Sequence, residues 1–169
     1  MKNDKIQKLV WAGLFTALTT VATMVIHIPV GTGYWNVGDA LVILSAFLLG
    51  PAWGAIAAGL GSALADILSG YAIYAPGTLI IKALMALVAA VILRPAKNKK
   101  TYITAIIASI AAELVMVSGY FAYEAFILGY GMAAIANVYS NALQGLVGAS
   151  VGTILFYALL RIPYVKKNF

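Results

Sequence analysis

Apolar residues fill most of this chain in long runs, separated by short segments rich in glycine, proline, tyrosine and charge. The first run predicts a helix over about 7–28, stopped by Pro29 because proline cannot continue the hydrogen-bond ladder. A polar stretch follows from Pro29 to Asp39, read as a loop. Residues 40–69 are long for one bilayer span and short for two, and Gly50-Pro51 interrupts them in the middle. That interruption predicts a helical hairpin, with helices at about 39–49 and 51–68. Further helices are expected at about 76–93, 102–127 and 132–160, with an outer turn at Gly129-Tyr130-Gly131. The fold class predicted is all-α integral membrane: six transmembrane helices in one domain over 1–169.

Charge orients these helices. Ten of the eleven basic residues fall in three segments: Lys2, Lys5 and Lys8; Arg94, Lys97, Lys99 and Lys100; Arg161, Lys166 and Lys167. Lysine and arginine collect on the cytoplasmic side, so the number of crossings between successive clusters must be even. Two crossings within 39–68 satisfy this; one would put the central cluster outside. Both termini are then cytoplasmic, and the protein is a multi-pass component of the plasma membrane. The N-terminal run is too long for the apolar part of a signal peptide, and is read as a retained helix.

Composition agrees, with 63% hydrophobic and 9% charged residues. The net charge of +6 belongs to juxtamembrane anchors, so no nucleic-acid partner is expected. There is no cysteine and one histidine, with no His-Glu-x-x-His pattern, so no metal is expected. Neither a P-loop nor a Gly-x-Ser-x-Gly elbow is present. We therefore expect no catalytic residues, no cofactor and no enzyme activity in this chain. Gly54, Ala58 and Ser62, the pair Gly148 and Gly152, and the pair Gly13 and Ala17 have the spacing that lets membrane helices approach closely.

A charged side chain at mid-membrane costs about 2.5–3.5 kcal/mol on insertion scales, so each one is a candidate for function. Asp39, Asp66, Lys82, Glu113 and Glu124 all lie within or beside the apolar runs. Glu113, Tyr120 and Glu124 share a helical face; so do Asn137, Asn141 and Gln144, and Thr78 stacks with Lys82. Apart from Glu113 these groups lie in the outer half, as do Tyr34, Trp35 and Tyr74. Blander roles exist for each: belt aromatics, a helix cap at Asp39, a snorkelling or structurally paired Lys82, interhelical Asn/Gln bonds. Their convergence favours an outward-facing pocket lined by Tyr34, Trp35, Asn36, Asp39, Tyr74 and Lys82 on one side. Tyr120, Glu124, Asn137, Asn141 and Gln144 form the other.

Four segments carry a family resemblance: Tyr34-x-Asn36-x-Gly38-Asp39 after Ile28-Pro29, then Leu49-Gly50-Pro51-x-x-Gly54, then Ser62-Ala63-x-Ala65-Asp66, then Tyr74-Ala75-Pro76-x-Thr78-Leu79-x-x-Lys82. Together with the six-span layout they resemble the S components of energy-coupling factor (ECF) transporters, in the branch of riboflavin-type and small vitamin-precursor binders. The resemblance implies a membrane subunit that binds a vitamin from outside and joins a membrane T component and two cytosolic ATPases. It implies that small residues of helix 1, here Ala12, Gly13 and Ala17, face the T component, and that residues 29–39 form a lid. The glycine at position 13 departs from the family's usual alanine. With no arginine in the outer half, an unphosphorylated ligand fits best, and the rings suit a heteroaromatic one. Vitamin B6 (pyridoxine-like) and hydroxymethylpyrimidine lead, ahead of riboflavin and thiamin. The competing reading is a stand-alone secondary transporter with Glu113 or Asp66 as proton relay.

Overall fold

In the computed structural model, residues 2–31, 33–94 and 102–168 are described. Lys97, Lys99 and Lys100 of the central basic cluster lie outside them. Helix α1 spans Lys2–Val25, and a short antiparallel hairpin follows, β1 His27–Val30 and β2 Gly33–Asn36. Helix α2 covers Gly38–Leu68, α3 covers Ala75–Leu93, and α4 covers Tyr102–Ala122 with a π-helical turn at Tyr123–Ile127. A 3-10 turn at Gly131–Ala134 leads into α5, Ile135–Leu159, and α6 is a single short helix, Pro163–Asn168.

The hairpin corrects the expectation of a helix to residue 28 and a loop beyond it. Helix α1 ends three residues earlier, at Val25. A residue preceding proline is pushed toward extended backbone, and Ile28-Pro29 takes that option inside β1. The strands pair His27 with Asn36 and Pro29 with Tyr34, and Gly31 supplies a left-handed φ of +59° at the turn. Short α6 was not anticipated either.

Helix α2 is two limbs. At Gly50 the backbone leaves helical geometry (φ 78°, ψ −174°), a conformation open to glycine. In a continuous helix, residues 46 and 54 would lie about 12 Å apart. Here a β-carbon on Gly54 would fall 2.8 Å from Ala46 Cα, and Ser45 Oγ donates to the Gly54 carbonyl at 3.3 Å. The chain has therefore doubled back, and glycine at 54 lets the two limbs touch. The second limb meets α3 closely as well: a β-carbon on Gly59 would lie 2.7 Å from the Leu79 carbonyl.

Helices α2, α3, α4 and α5 close a ring, since α5 returns to pack on α2; α1 lies outside the ring, against α2. Val42, Ile43, Met85, Met116 and Phe156 are fully buried between them. Leu60, Leu64, Ile80, Ile106, Ile110 and Ile154 point outward, the apolar exterior a bilayer requires. Among the described residues, five helices are long and apolar enough to span, α2 being counted once. Chain ends meet at one end of the bundle, where Gln7 Nε2 donates to Tyr164 OH at 3.4 Å and Tyr102 stacks on Tyr157 at 3.9 Å. The β-hairpin occupies the other end. That pairing of ends agrees with the even crossing count from the basic clusters.

Candidate functional site

The first limb of α2, residues 38–49, rises only about 18 Å, well short of a hydrocarbon core of about 30 Å. The β-hairpin fills the space left above it. Its backbone is paired strand to strand, while β1 presents Ile28, Pro29 and Val30 outward and β2 turns Asn36 inward. Its two ends are tied down differently. Tyr34 OH donates to Asp66 Oδ1 at 2.5 Å, at the top of the second α2 limb. The Asn36 backbone N–H and side-chain amide both donate to Gln144 Oε1 of α5, at 3.0 and 3.3 Å. His27 stacks on Tyr34 with ring centroids 4.0 Å apart, and Tyr71 leans on the same ring at 4.8 Å. Burial, and then the neighbouring Asp66 carboxylate, push the Tyr34 phenol up, so it remains a neutral donor.

Beneath the hairpin lies a cavity of about 50 Å³. Tyr34 and Asn36 enter it from β2, Asp66 from α2, Tyr74, Thr78 and Lys82 from the start of α3. Tyr120 and Glu124 reach it from α4 and its π-helical end, Asn141 and Gln144 from α5. A continuous polar chain forms its deep wall. Lys82 Nζ forms an ion pair with Asp39 Oδ1, Asp39 Oδ2 accepts from Gln144 Nε2 at 2.7 Å, and Gln144 Oε1 receives Asn36. The Asn36 Oδ1 in turn accepts the Gly38 N–H at 2.9 Å, satisfying one of the free backbone donors at the start of α2. Lys82 also lies 5.4 Å from the Tyr120 ring centroid, where the π face favours its charge. On the far wall, Glu124 accepts from Tyr74 OH at 3.3 Å and from Asn137 Nδ2 at 3.0 Å.

A family model described as "ECF-type riboflavin transporter, S component" matches residues 3–161. The chain belongs to this family. It is thus a substrate-binding membrane subunit of an ECF transporter, resident in the plasma membrane, and a transport protein rather than an enzyme. The S component is also similar to a Pyrococcus woesei protein described as "Uncharacterized protein in gap 3'region". The two are 35% identical over 142 residues, which cover 83% of this chain and 93% of that one.

Within this S component, three of the residues expected in the pocket stand elsewhere. Trp35 is half-buried on the opposite face of β2, because successive strand residues alternate sides and Tyr34 and Asn36 take the inner one. Asp39 is fully buried behind Lys82 and acts through it, not as a helix cap. Asn137 sits one turn above Asn141, under the hairpin turn, and holds Glu124. Conversely, Thr23, Gly33, Ser62, Asp66 and Thr78 line the cavity although they were not named for it. Asp66 and Thr78 carried a signal, a carboxylate in an apolar run and a hydroxyl one turn from Lys82. Thr23 carried none.

Glu113 is buried beneath this site and does not line the cavity. It packs on the glycines of α5, where a β-carbon on Gly148 would lie 2.6 Å from Asp39 Cβ and 2.8 Å from Glu113 Oε1. Neither Glu113 oxygen has a hydrogen-bond partner among the described residues. The small residues of α5 therefore bring two carboxyl groups beside Lys82, besides serving close helix packing. Of the three residues expected to face the T component, Gly13 and Ala17 are exposed on α1, but Ala12 is 97% buried because its side chain turns toward α2 (exposure 3%).

Proposed function

We propose that this S component captures a small unphosphorylated heteroaromatic vitamin or precursor from outside, with vitamin B6 (pyridoxine) or hydroxymethylpyrimidine favoured. Two cytosolic ATPase subunits acting through the membrane T component would power its release inward. The observation that carries the ligand class is the cavity itself. Side chains from β2, α2, α3, α4 and α5 meet in about 50 Å³ under the hairpin, with Lys82 as the one cation among them. Ligand pockets usually measure roughly 300–1,000 Å³, so the hairpin and its anchors must move outward to admit even a single-ring compound. A tricyclic flavin with its sugar chain demands a still larger displacement, which ranks riboflavin, the vitamin in the family's name, below one-ring compounds. Single lysine charge without arginine argues against a phosphate ester. Tyr74 and Tyr120 offer flat faces, and Asn36, Asn141 and Gln144 read hydroxyl or ring-nitrogen positions.

Mass spectrometry of small molecules released from the purified protein, followed by calorimetry with pyridoxine, hydroxymethylpyrimidine and riboflavin, tests this reading. A one-ring compound should be released and should bind tightest. Release of a flavin or a phosphate ester would refute the ligand class.

One observation favours a second reading. Glu113 is buried beside Asp39 with no hydrogen-bond partner among the described residues, as a proton relay would be in a stand-alone secondary transporter. Uptake in cells lacking the ATPase subunits separates the two: the relay reading requires transport that persists and collapses with the proton gradient.

A further inference from the structure

Two polar atoms of the cavity wall have nothing to bond. Asp66 is 4% exposed and Thr23 is 3% exposed, both line the cavity, and Asp66 Oδ2 and Thr23 Oγ1 have no hydrogen-bond partner among the described residues. The other Asp66 oxygen accepts from Tyr34. Thr78 approaches this carboxyl group as a further donor, short of hydrogen-bond geometry, while its hydroxyl sits 2.9 Å from Tyr120 OH. A buried carboxylate oxygen left bare is costly, and of the buried polar atoms without partners among the described residues these two belong to residues that line the cavity, where a ligand can bond them.

The charges of the wall say what that is. Lys82 is neutralised from behind by Asp39. The remaining charged groups of the lining are Asp66 and Glu124, both acidic. Glu124 is met by two donors, Tyr74 and Asn137, and Asp66 by one. In each of these bonds the carboxyl group is the acceptor, the role an ionised carboxylate can fill at both of its oxygens. With both carboxyl groups ionised, the cavity carries an excess of negative charge in a low-dielectric setting, where an opposite charge is held strongly and a like charge repelled.

The geometry points to a cationic ligand, one whose protonated amine or quaternary nitrogen is seated at Asp66 Oδ2 while a hydroxyl or ring nitrogen meets Thr23 Oγ1. This inference rests on the reading of the cavity as a vitamin site and sharpens it: among one-ring vitamins, a cationic form is selected over its neutral counterpart. Asp66 is the specificity-determining residue, and the hairpin that carries its Tyr34 partner closes over the bound charge.

Calorimetry with the matched pair pyridoxamine and pyridoxine, alike except for an amine in place of a hydroxyl, reads the charge preference directly. Thiamin, with a quaternary nitrogen, and riboflavin, without one, extend it to other rings. The cationic partner of a pair should bind at least about tenfold tighter. Asp66→Asn should erase that preference, and Asp66→Glu, with thermal unfolding checked for both variants, should retain part of it. A neutral compound binding as tightly as its cationic partner, or a preference that survives Asp66→Asn in folded protein, overturns the inference and leaves the vitamin reading standing. Binding of none of the four compounds, nor of hydroxymethylpyrimidine, by folded protein overturns both.

Discussion

Lys82 of α3 and Asp39 of α2 form a buried ion pair in the deep wall of the cavity, the two side chains being 4% and 0% exposed. The pair forms where the short first limb of α2 begins, at a depth set by the Gly50 reversal. It ties this limb to α3, and through Gln144 it reaches α5 and the β-hairpin. The cavity wall and the bundle core are therefore mechanically one unit.

Breaking a buried pair by removing one partner leaves an uncompensated charge and costs about 3–5 kcal/mol. Asp39→Asn and Lys82→Met should each lower thermal stability in detergent markedly, and the double variant should recover much of that loss. Fluorescence-detected unfolding of all four proteins gives the coupling energy. Additive losses would show the pair to be energetically idle.

Gly148 stands where α5 touches two carboxyl-bearing side chains at once. A β-carbon there would meet Asp39 Cβ at 2.6 Å and Glu113 Oε1 at 2.8 Å. Gly148→Ala should destabilise by about 1–3 kcal/mol, as overpacking does. Gly13→Ala, with nothing within 4 Å, should be tolerated, and the two melting curves settle the difference.

Ligand affinity should depend on the network far more than on the aromatic belt. Asn36→Ala and Gln144→Ala each remove one side of a buried hydrogen bond, worth about 1–3 kcal/mol, or roughly 5- to 150-fold in affinity. Tyr139 is 74% exposed, and Tyr139→Ala should leave affinity unchanged. Equal affinities in all three variants, for the molecule released from the purified protein, would exclude this cavity as the site.

On α1, the exposed small residues offer a partner helix close approach. Gly13→Trp and Ala17→Trp should abolish uptake while ligand affinity of the isolated subunit holds. Ala12→Trp should instead unfold the protein, because Ala12 is 3% exposed against α2. Uptake assays paired with calorimetry distinguish a coupling face from a packing face.

Much of this was legible along the chain because a bilayer punishes errors singly. Each uninterrupted apolar run had to be a helix, since no other local structure satisfies its own backbone in lipid, and the basic clusters fixed the parity of crossings. Gly50-Pro51 announced a reversal because no other short stretch of 40–69 breaks a helix so strongly. The polar residues of α3, α4 and α5 could be grouped because helical spacing relates positions four and seven apart without knowledge of any neighbour. Tertiary structure decided the rest. The hairpin at 27–36 is too short to be stable alone, and exists because Asp66 and Gln144 anchor it; only that strand geometry sends Tyr34 and Asn36 inward and Trp35 away. Which carboxylate Lys82 pairs with, and that Asp66 keeps one oxygen bare inside the cavity, depend on how far the first limb of α2 descends and how α5 leans on it. Such relations join residues dozens of positions apart, and no local pattern encodes them.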